Sequence, residues 1–402
     1  MPELNTENHP VTGAELSFDN TEIAFKNKSN EDLNRAYWLF KIISNNFLTQ
    51  VGPSLTNFAF SIGLPISGMI RKTIFRQFCG GESIAQCEGT IAQLASGGVK
   101  TILDYSVEGE EREEVFEETC REVIRTVERA NGDERIPLTV FKVTGIARFA
   151  LLEKLDAKLD LTEAEQQEFE RVKERVDRIC SRANTLGVPV MIDAEESWIQ
   201  DTIDDLATDM MRKYNRDRLL VYNTYQLYRH DKLASLKADI ALAETDRFIL
   251  GAKLVRGAYM EKERKRALER GYPSPIQPTK EASDRDYDAA VRYCLDHLDA
   301  VGFVAGTHNE NSCKLLADLL DERGISRNHP HVYFSQLLGM SDNLSFNLGD
   351  AGYNVVKYVP YGPIKAVMPY LFRRAQENTS VAGQTGRELS LIIREKKRRQ
   401  LG

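Results

Sequence analysis

Between Val99 and Gly362 a short β-branched or apolar run gives way eight times to an amphipathic helical stretch, and this rhythm constrains the fold more than any other feature. The runs are VKTILDY (from Val99), LTVFKVTG (Leu138), VPVMIDAEE (Val188), LLVYNTYQ (Leu219), FILGAKLVRGAY (Phe248), VGFVAGTHN (Val301), HVYFSQLLG (His331) and NVVKYVPYG (Asn354). Near-continuous apolar strands alternating with helices such as EEVFEETCREVIRTVERANG indicate a parallel sheet covered by helices. Eight consecutive units predict an α/β chain closed into a (βα)8 barrel rather than an open sheet. Two excursions decorate it: LTEAEQQEFERVKERV, opened by a capping box from Thr162 to Glu165, and a polar loop, GYPSPIQPTKEASDRDYD, after the fifth strand. The expected organisation is a disordered segment 1–20, a helical region 21–96, a barrel 97–395 and a basic tail 396–402.

The 402 residues, 42% of them hydrophobic, suffice for one large domain or two ordinary ones. A net charge of −7 and a pI near 5.6 argue against nucleic acid as a partner. The one basic run, REKKRRQ (Arg394 to Gln400), reads as a solvated helix end; contact with an anionic membrane surface is its second reading. Six scattered cysteines without a CxxC indicate reduced or buried thiols of a cytosolic type of compartment. The polar N-terminus has the character of neither a secretory signal nor a transit peptide. The most apolar stretch, Leu55 to Ile70, is short for a membrane span and broken by Gly63 and Pro65, so a packed or interfacial helix pair is expected.

In a barrel of this kind the site is built where the strands end. Those ends carry Asp104, Lys142, Asp193 with Glu195, Asn223 and Gln226, Lys253 with Arg256, Thr307 with His308, Gln336 and Tyr358. Each alone is explained by capping; such groups on every strand in turn point to a functional cleft. One histidine at a strand end is too few for a metal hydrolase, and no metal is expected. There is no P-loop, no GxGxxG after a strand and no GxSxG. The set is instead rich in cations, and Arg373 and Arg374 in YLFRRAQEN add a pair. On a helix, neighbouring arginines point about 100° apart and can grip one anion from two sides, with Glu377 in reach of both. An anionic substrate together with a phosphorylated cofactor suits this set.

Taken in order, MIDAEES, GAKLVRGAYMEKER, THNE, QLLGMSDNLSF and YLFRRAQEN resemble the proline dehydrogenase family from about Lys100 to Asn378. The resemblance implies a distorted (βα)8 TIM-type barrel with a C-terminal helix over the active site, noncovalent FAD, and oxidation of L-proline to Δ1-pyrroline-5-carboxylate. Residue by residue it implies substrate contacts from Lys142, Tyr358, Tyr370, Arg373 and Arg374, the arginine pair clamping the carboxylate. Asp193 is implied as the active-site aspartate and Lys253 as the cation that tunes the flavin. Cofactor contacts are implied for Ala194, Asn223, Lys253, Arg256, Gly257, Ala258, Thr307 and His308. Two positions depart from many bacterial members: Asn223 stands for Gln, and Lys253 for Arg, keeping the charge without the bidentate fork. Both departures resemble the stand-alone, eukaryote-like branch.

The implied chemistry is hydride transfer from proline C5 to the flavin, with a membrane quinone as final acceptor. A cytoplasmic protein, peripheral on the inner face of the cytoplasmic membrane, is the matching expectation. Two rivals stand beside it: a trans-4-hydroxy-L-proline dehydrogenase with a different pocket, and a non-catalytic barrel that binds ligand or membrane.

Overall fold

The computed structural model describes residues 16–43, 67–107, 111–380 and 384–401, and of these the side chains outside 376–385. The eight runs are strands: β1 (Lys100–Tyr105), β2 (Leu138–Phe141), β3 (Val190–Ile192), β4 (Val221–Gln226), β5 (Leu250–Val255), β6 (Val301–Gly306), β7 (Val332–Leu337) and β8 (Val355–Tyr361). They pair in chain order, all parallel, and β8 returns to β1 in the register Ile102↔Tyr358 to close the barrel.

The pleat sorts each strand into two sets of side chains. Ile102, Val140, Met191, Tyr222, Val304 and Val356 meet in a small apolar cluster inside the barrel. Their chain neighbours Leu103, Phe141, Ile192, Val221, Phe303 and Val355 join the large core between sheet and helices. Polar residues of the inner set therefore collect at the barrel mouth, and those of the outer set are locked between strand and helix.

Ahead of the barrel lie α1 (Thr21–Phe25), α2 (Asn30–Ile43), α3 (Ser67–Ile70), a π-helical turn (Arg71–Phe75), α4 (Arg76–Phe78) and α5 (Ile84–Ala95). Residues 16–20 are not disordered as expected: Phe18 is buried in the large core, and the Asn20 side chain caps α1 by accepting from Ile23 N at 3.2 Å. Residues 1–15 and most of the apolar stretch Leu55 to Ile70 lie outside the described residues.

The covering helices are α6 (Glu113–Ala130), α7 (Phe149–Asp156), α8 (Glu163–Leu186), α9 (Ser197–Tyr214), α10 (Lys232–Asp246), α11 (Met260–Arg270), α12 (Lys280–Asp296), α13 (Glu310–Glu322) and α14 (Asp342–Asp350). The capping box at Thr162 and Glu165 starts α8 as expected. The polar loop after β5 is in its second half α12, whose start is fixed by Thr279 accepting from Ala282 N at 3.2 Å. Its charged residues hid an apolar stripe of Tyr287, Ala290, Val291 and Cys294, all buried. The six cysteines are all buried and unbridged.

Two helices follow β8: α15 (Ile364–Ser380), which carries the arginine pair, and α16 (Gln384–Arg398). Both pack with α1, α2 and α4 in a separate cluster that includes Phe25, Phe40, Phe78, Leu371 and Leu391. The boundary expected at residue 395 thus falls inside a helix that belongs with the N-terminal helices. The basic tail is held by the chain itself: Arg399 donates to Phe25 O at 2.7 Å and Lys28 O at 2.8 Å, and Lys396 lies 4.5 Å over the Tyr37 ring.

Candidate active site

At the mouth of the barrel, four residues from four strands converge. Asp193, just past β3, accepts from Lys142 Nζ (past β2) at 2.8 Å on Oδ2 and from Lys253 Nζ (on β5) at 2.5 Å on Oδ1. The Tyr358 hydroxyl on β8 donates to the same Oδ2 at 2.8 Å and accepts from Lys142 at 3.2 Å. Lys253 also sits 4.8 Å over the Tyr358 ring. Burial alone would raise the Asp193 carboxyl, but Lys142 and Lys253 outweigh it and hold the group well below the usual carboxylate range. Burial works against charge on Lys142, and Asp193 followed by Tyr358 outweighs it, raising that ammonium well above its ordinary value. Two cations thus share one buried anion, so a further anion is electrostatically favoured here.

Asp104, on β1, completes this floor. It is 1% exposed and accepts a hydrogen bond from the Ser106 hydroxyl. Burial raises its carboxyl, with Lys142 opposing and Asp193 adding to the rise. Past β3, Glu195 is pushed up to about 7 by burial, against hydrogen bonds from Thr144, whose backbone N donates at 3.0 Å.

The arginines come from α15, after the last strand. Arg374 is buried and its guanidinium lies 4.9 Å over the Tyr370 ring. Arg373 is among the charges that act on Tyr259, and Arg374 among those that act on His308. Glu377, expected to brace both, has a side chain outside the described set.

A second group lines the far side of the mouth. Arg256 is tied by Nε to Asp284 at 2.6 Å, by Nη1 to Thr307 at 2.8 Å and by Nη2 to Ser312 at 2.9 Å, and it stacks 4.4 Å from the Tyr287 ring. The side chain expected at the cofactor is therefore a strut between β5, α12 and α13. His308 Nδ1 lies 2.9 Å from Ser341 Oγ. Burial, then Lys357, Arg374 and Arg256, push the imidazole down to about 3, so it is neutral and an acceptor or donor only. Ser341 is left-handed at φ 51, and its N–H is held by Glu388 of α16. Glu388 is pushed up to about 7 by burial and by Asp342.

The rim between the two groups is main chain. Gly257 and Ala258 are exposed where β5 ends, and Ala194 follows Asp193 half-buried. Gly257 has φ +135, and a Cβ there would fall 2.4 Å from the buried Tyr228 ring, so packing and backbone both call for glycine at this point of the rim.

Two expected residues are not at the mouth. Asn223 follows the inward Tyr222, so the pleat turns it outwards, where Nδ2 donates to Asp204 of α9 at 2.9 Å and Oδ1 accepts from Thr224 N at 2.8 Å. Gln336 is likewise outward, bonded to Thr307 O at 3.1 Å and Ser345 Oγ at 2.8 Å. Sequence reasoning passed over Lys357, wholly buried on β8 and 3.0 Å from Asp342; its signal was a lysine inside an otherwise apolar strand.

Fold and site together define a (βα)8 barrel with buried lysines and an acidic partner at its mouth. The chain belongs to the proline dehydrogenase family: the family model described as proline dehydrogenase matches residues 87–387. It is 30% identical to proline dehydrogenase 1, mitochondrial, of Dictyostelium discoideum over 96% of this chain and 75% of that one. To the human protein of the same name it is 41% identical over 66% of this chain and 45% of that one, so it spans under half the human protein's length. Among solved structures, proline utilization A from Bdellovibrio bacteriovorus shares the fold at a TM-score of 0.71 and 19% identity, covering 95% of this chain and 42% of that one.

Proposed function

We propose that this chain oxidises L-proline to Δ1-pyrroline-5-carboxylate, using noncovalent FAD and passing electrons to a membrane quinone. The observation that carries the reading is the Lys142–Asp193–Lys253–Tyr358 cluster at the mouth of a barrel of this family, with Arg374 and Tyr370 paired on the helix that follows the last strand.

The residues at the mouth fit a flavin. The exposed residues Gly257 and Ala258 and the Lys253 ammonium suit a planar, electron-poor ring system. Ala194, Lys253, Gly257, Ala258, Thr307 and His308 would hold it. Bound FAD supplies the two-electron acceptor for the hydride that leaves proline C5.

The protein's own part is binding and orientation. Arg373 and Arg374 take the substrate carboxylate, and Lys142 adds a third positive charge. Tyr358 and Tyr370 wall the ring. Asp193, kept ionised by two lysines, fixes their ammonium groups rather than acting as a base. The substrate reacts with a neutral amine, because a protonated nitrogen has no lone pair to assist loss of hydride.

In this reading the protein works in the cytoplasm and meets the membrane only peripherally. Among the described residues no helix is long and apolar enough to cross one. The test is the visible spectrum of the purified protein with and without L-proline under anaerobic conditions. Flavin absorption that bleaches with L-proline, with pyrroline-5-carboxylate formed, supports the reading. A colourless protein, or a flavin that L-proline leaves oxidised, sinks it.

A further inference from the structure

β2 and β3 run out of main-chain pairing at the mouth. Their last partners are Phe141 and Ile192, and the ladder bond from Asp193 N to Phe141 O, at 3.0 Å, lies just past them. Beyond it the two chains are joined by side chains in the same register. Lys142 Nζ meets Asp193 at 2.8 Å, and two residues further along each chain Thr144 meets Glu195. Thr144 gives Glu195 two bonds, from its N–H to Oε1 at 3.0 Å and from its hydroxyl to Oε2. These two rungs share a stiff segment. Val143–Gly145 is a 3-10 turn, and Gly145 N bonds back to the carbonyl of Lys142 itself at 3.2 Å. A hold on Thr144 is therefore a hold on the backbone that carries Lys142. Lysine has a flexible four-carbon stem, so where its ammonium can reach depends on where that backbone is held.

Glu195 is suited to be the fixed end of this tether. It is 3% exposed, and each of its polar atoms is bonded. Its N–H donates to Gln200 Oε1 at 2.7 Å, and its carbonyl accepts from Gln226 Nε2 at 2.7 Å. Gln200, wholly buried on α9, in turn donates at 2.7 Å to the Asp204 oxygen that also takes Asn223. The carboxylate that grips Thr144 is thus anchored to β4 and α9.

We propose that Glu195 is a positioning residue for substrate binding: through Thr144 it fixes the backbone from which Lys142 reaches the substrate carboxylate. Asp193 holds the ammonium at the tip of Lys142, and Glu195 holds its root. The inference rests on the proposed oxidation of L-proline, in which Lys142 adds a positive charge beside the carboxylate.

The experiment measures the Kd of tetrahydrofuran-2-carboxylate, proline with oxygen in place of the ring nitrogen, from its perturbation of the holoenzyme's flavin spectrum. The unmodified protein, Glu195→Ala, Lys142→Met and the double variant form a cycle. FAD content is read from the absorbance ratio in each, so that lost cofactor is not counted as lost affinity. Glu195→Ala alone should weaken binding by about tenfold or more. In the Lys142→Met background the same change should alter Kd by no more than about twofold, because the residue it positions is gone. Glu195→Gln keeps an acceptor for Thr144 N and offers the hydroxyl a donor, so it should bind within about threefold of the unmodified protein. A merely structural role gives the same loss in both backgrounds, and that outcome overturns the proposal. So does a Gln variant as weak as the Ala one. If Glu195→Ala does not fold, Thr144→Val, which removes the hydroxyl rung, takes its place in the cycle, and equal losses in the two backgrounds overturn the proposal there too. An unmodified holoenzyme that neither binds the analogue nor is reduced by L-proline would instead sink the proposed function.

Discussion

The Lys253 ammonium stands 2.5 Å from Oδ1 of Asp193 and is itself buried, a pair formed between residues 60 positions apart in the chain. Breaking such a pair leaves an uncompensated buried charge, which costs about 3–5 kcal/mol. Lys142 holds the other oxygen, so neither lysine is dispensable without stranding part of the carboxylate's charge.

Replacing Arg373 or Arg374 with Met should raise the KM for L-proline strongly. A buried carboxylate that loses one charge-assisted partner is destabilised by about 2–4 kcal/mol. FAD content should stay near normal, because neither residue is placed on the Gly257 rim. Steady-state kinetics and the absorbance ratio check both parts; an unchanged KM puts the carboxylate elsewhere.

The flavin should leave with acid. All six cysteines are buried, and His308 is engaged with Ser341, so covalent attachment has no anchor at the mouth among the described residues. Acid precipitation is expected to give a yellow supernatant containing FAD. Colour retained in the pellet, or FMN in the supernatant, contradicts this.

Gly257→Ala should fold but bind FAD poorly. The added Cβ meets the Tyr228 ring at 2.4 Å and the residue sits at φ +135, so the rim has to shift. Strain of this kind costs about 1–3 kcal/mol, and a tenfold or greater loss of FAD affinity is expected on reconstitution of the apoprotein. Titration with FAD, followed by fluorescence quenching, reads it directly.

L-Proline should be preferred over trans-4-hydroxy-L-proline in kcat/KM, with Tyr358 as the discriminating wall. The phenol is 5% exposed and its hydroxyl is committed to Asp193, so an added substrate hydroxyl finds neither room nor partner. Tyr358→Ser should narrow the gap while lowering efficiency towards proline itself. Equal efficiency in the unmodified enzyme would favour a hydroxyproline dehydrogenase.

Stability should decline as pH rises from about 6.5 to 8, and Glu388→Gln should remove about half of the decline. Glu388 and Glu195 are both raised from 4.5 to about 7, so each binds a proton in the folded state that the unfolded chain has already lost. Their contribution is present below the unfolded value and is lost as pH rises through 7. His308, depressed to about 3, acts in the other direction only below its ordinary value of 6.5, outside this window. Thermal melts of the two proteins at both pH values test it; parallel melts would show that Glu388 titrates normally.

The barrel was legible because its evidence is repetitive: eight apolar runs carry the same message, and each β-strand falls within its run. The cluster at the mouth was legible for a similar reason, since Lys142 and Asp193 directly follow their strands and Lys253 and Tyr358 are polar residues within otherwise apolar runs. Direction was harder to read. Asn223 and Gln336 satisfy the same rule of position, yet one step along a pleated strand reverses the side chain, and β4 and β7 lack the polar–apolar alternation that would mark their faces. The roles of Ser341 and Glu388 depend on a contact between residues 47 apart that no local pattern announces. The start of α12 was hidden because charged residues crowd its first turns, from Lys280 to Asp288, although Thr279 had the right type for a cap.

That reversal has a consequence for how such a site can change over time. On β4 and β7 the outward polar groups, Asn223 and Gln336, are bolted to Asp204, Thr307 and Ser345, and a change there is felt by the frame. Their inward neighbours, including Thr224, Gln226, Ser335 and Leu337, face the inside of the barrel, where its apolar cluster lies. Selection can therefore explore new ligands by altering every second residue while leaving the intervening ones to keep the barrel closed. A library confined to the inward positions would search substrate range with the architecture left standing; one spread evenly along the strands would spend half its variants on collapse.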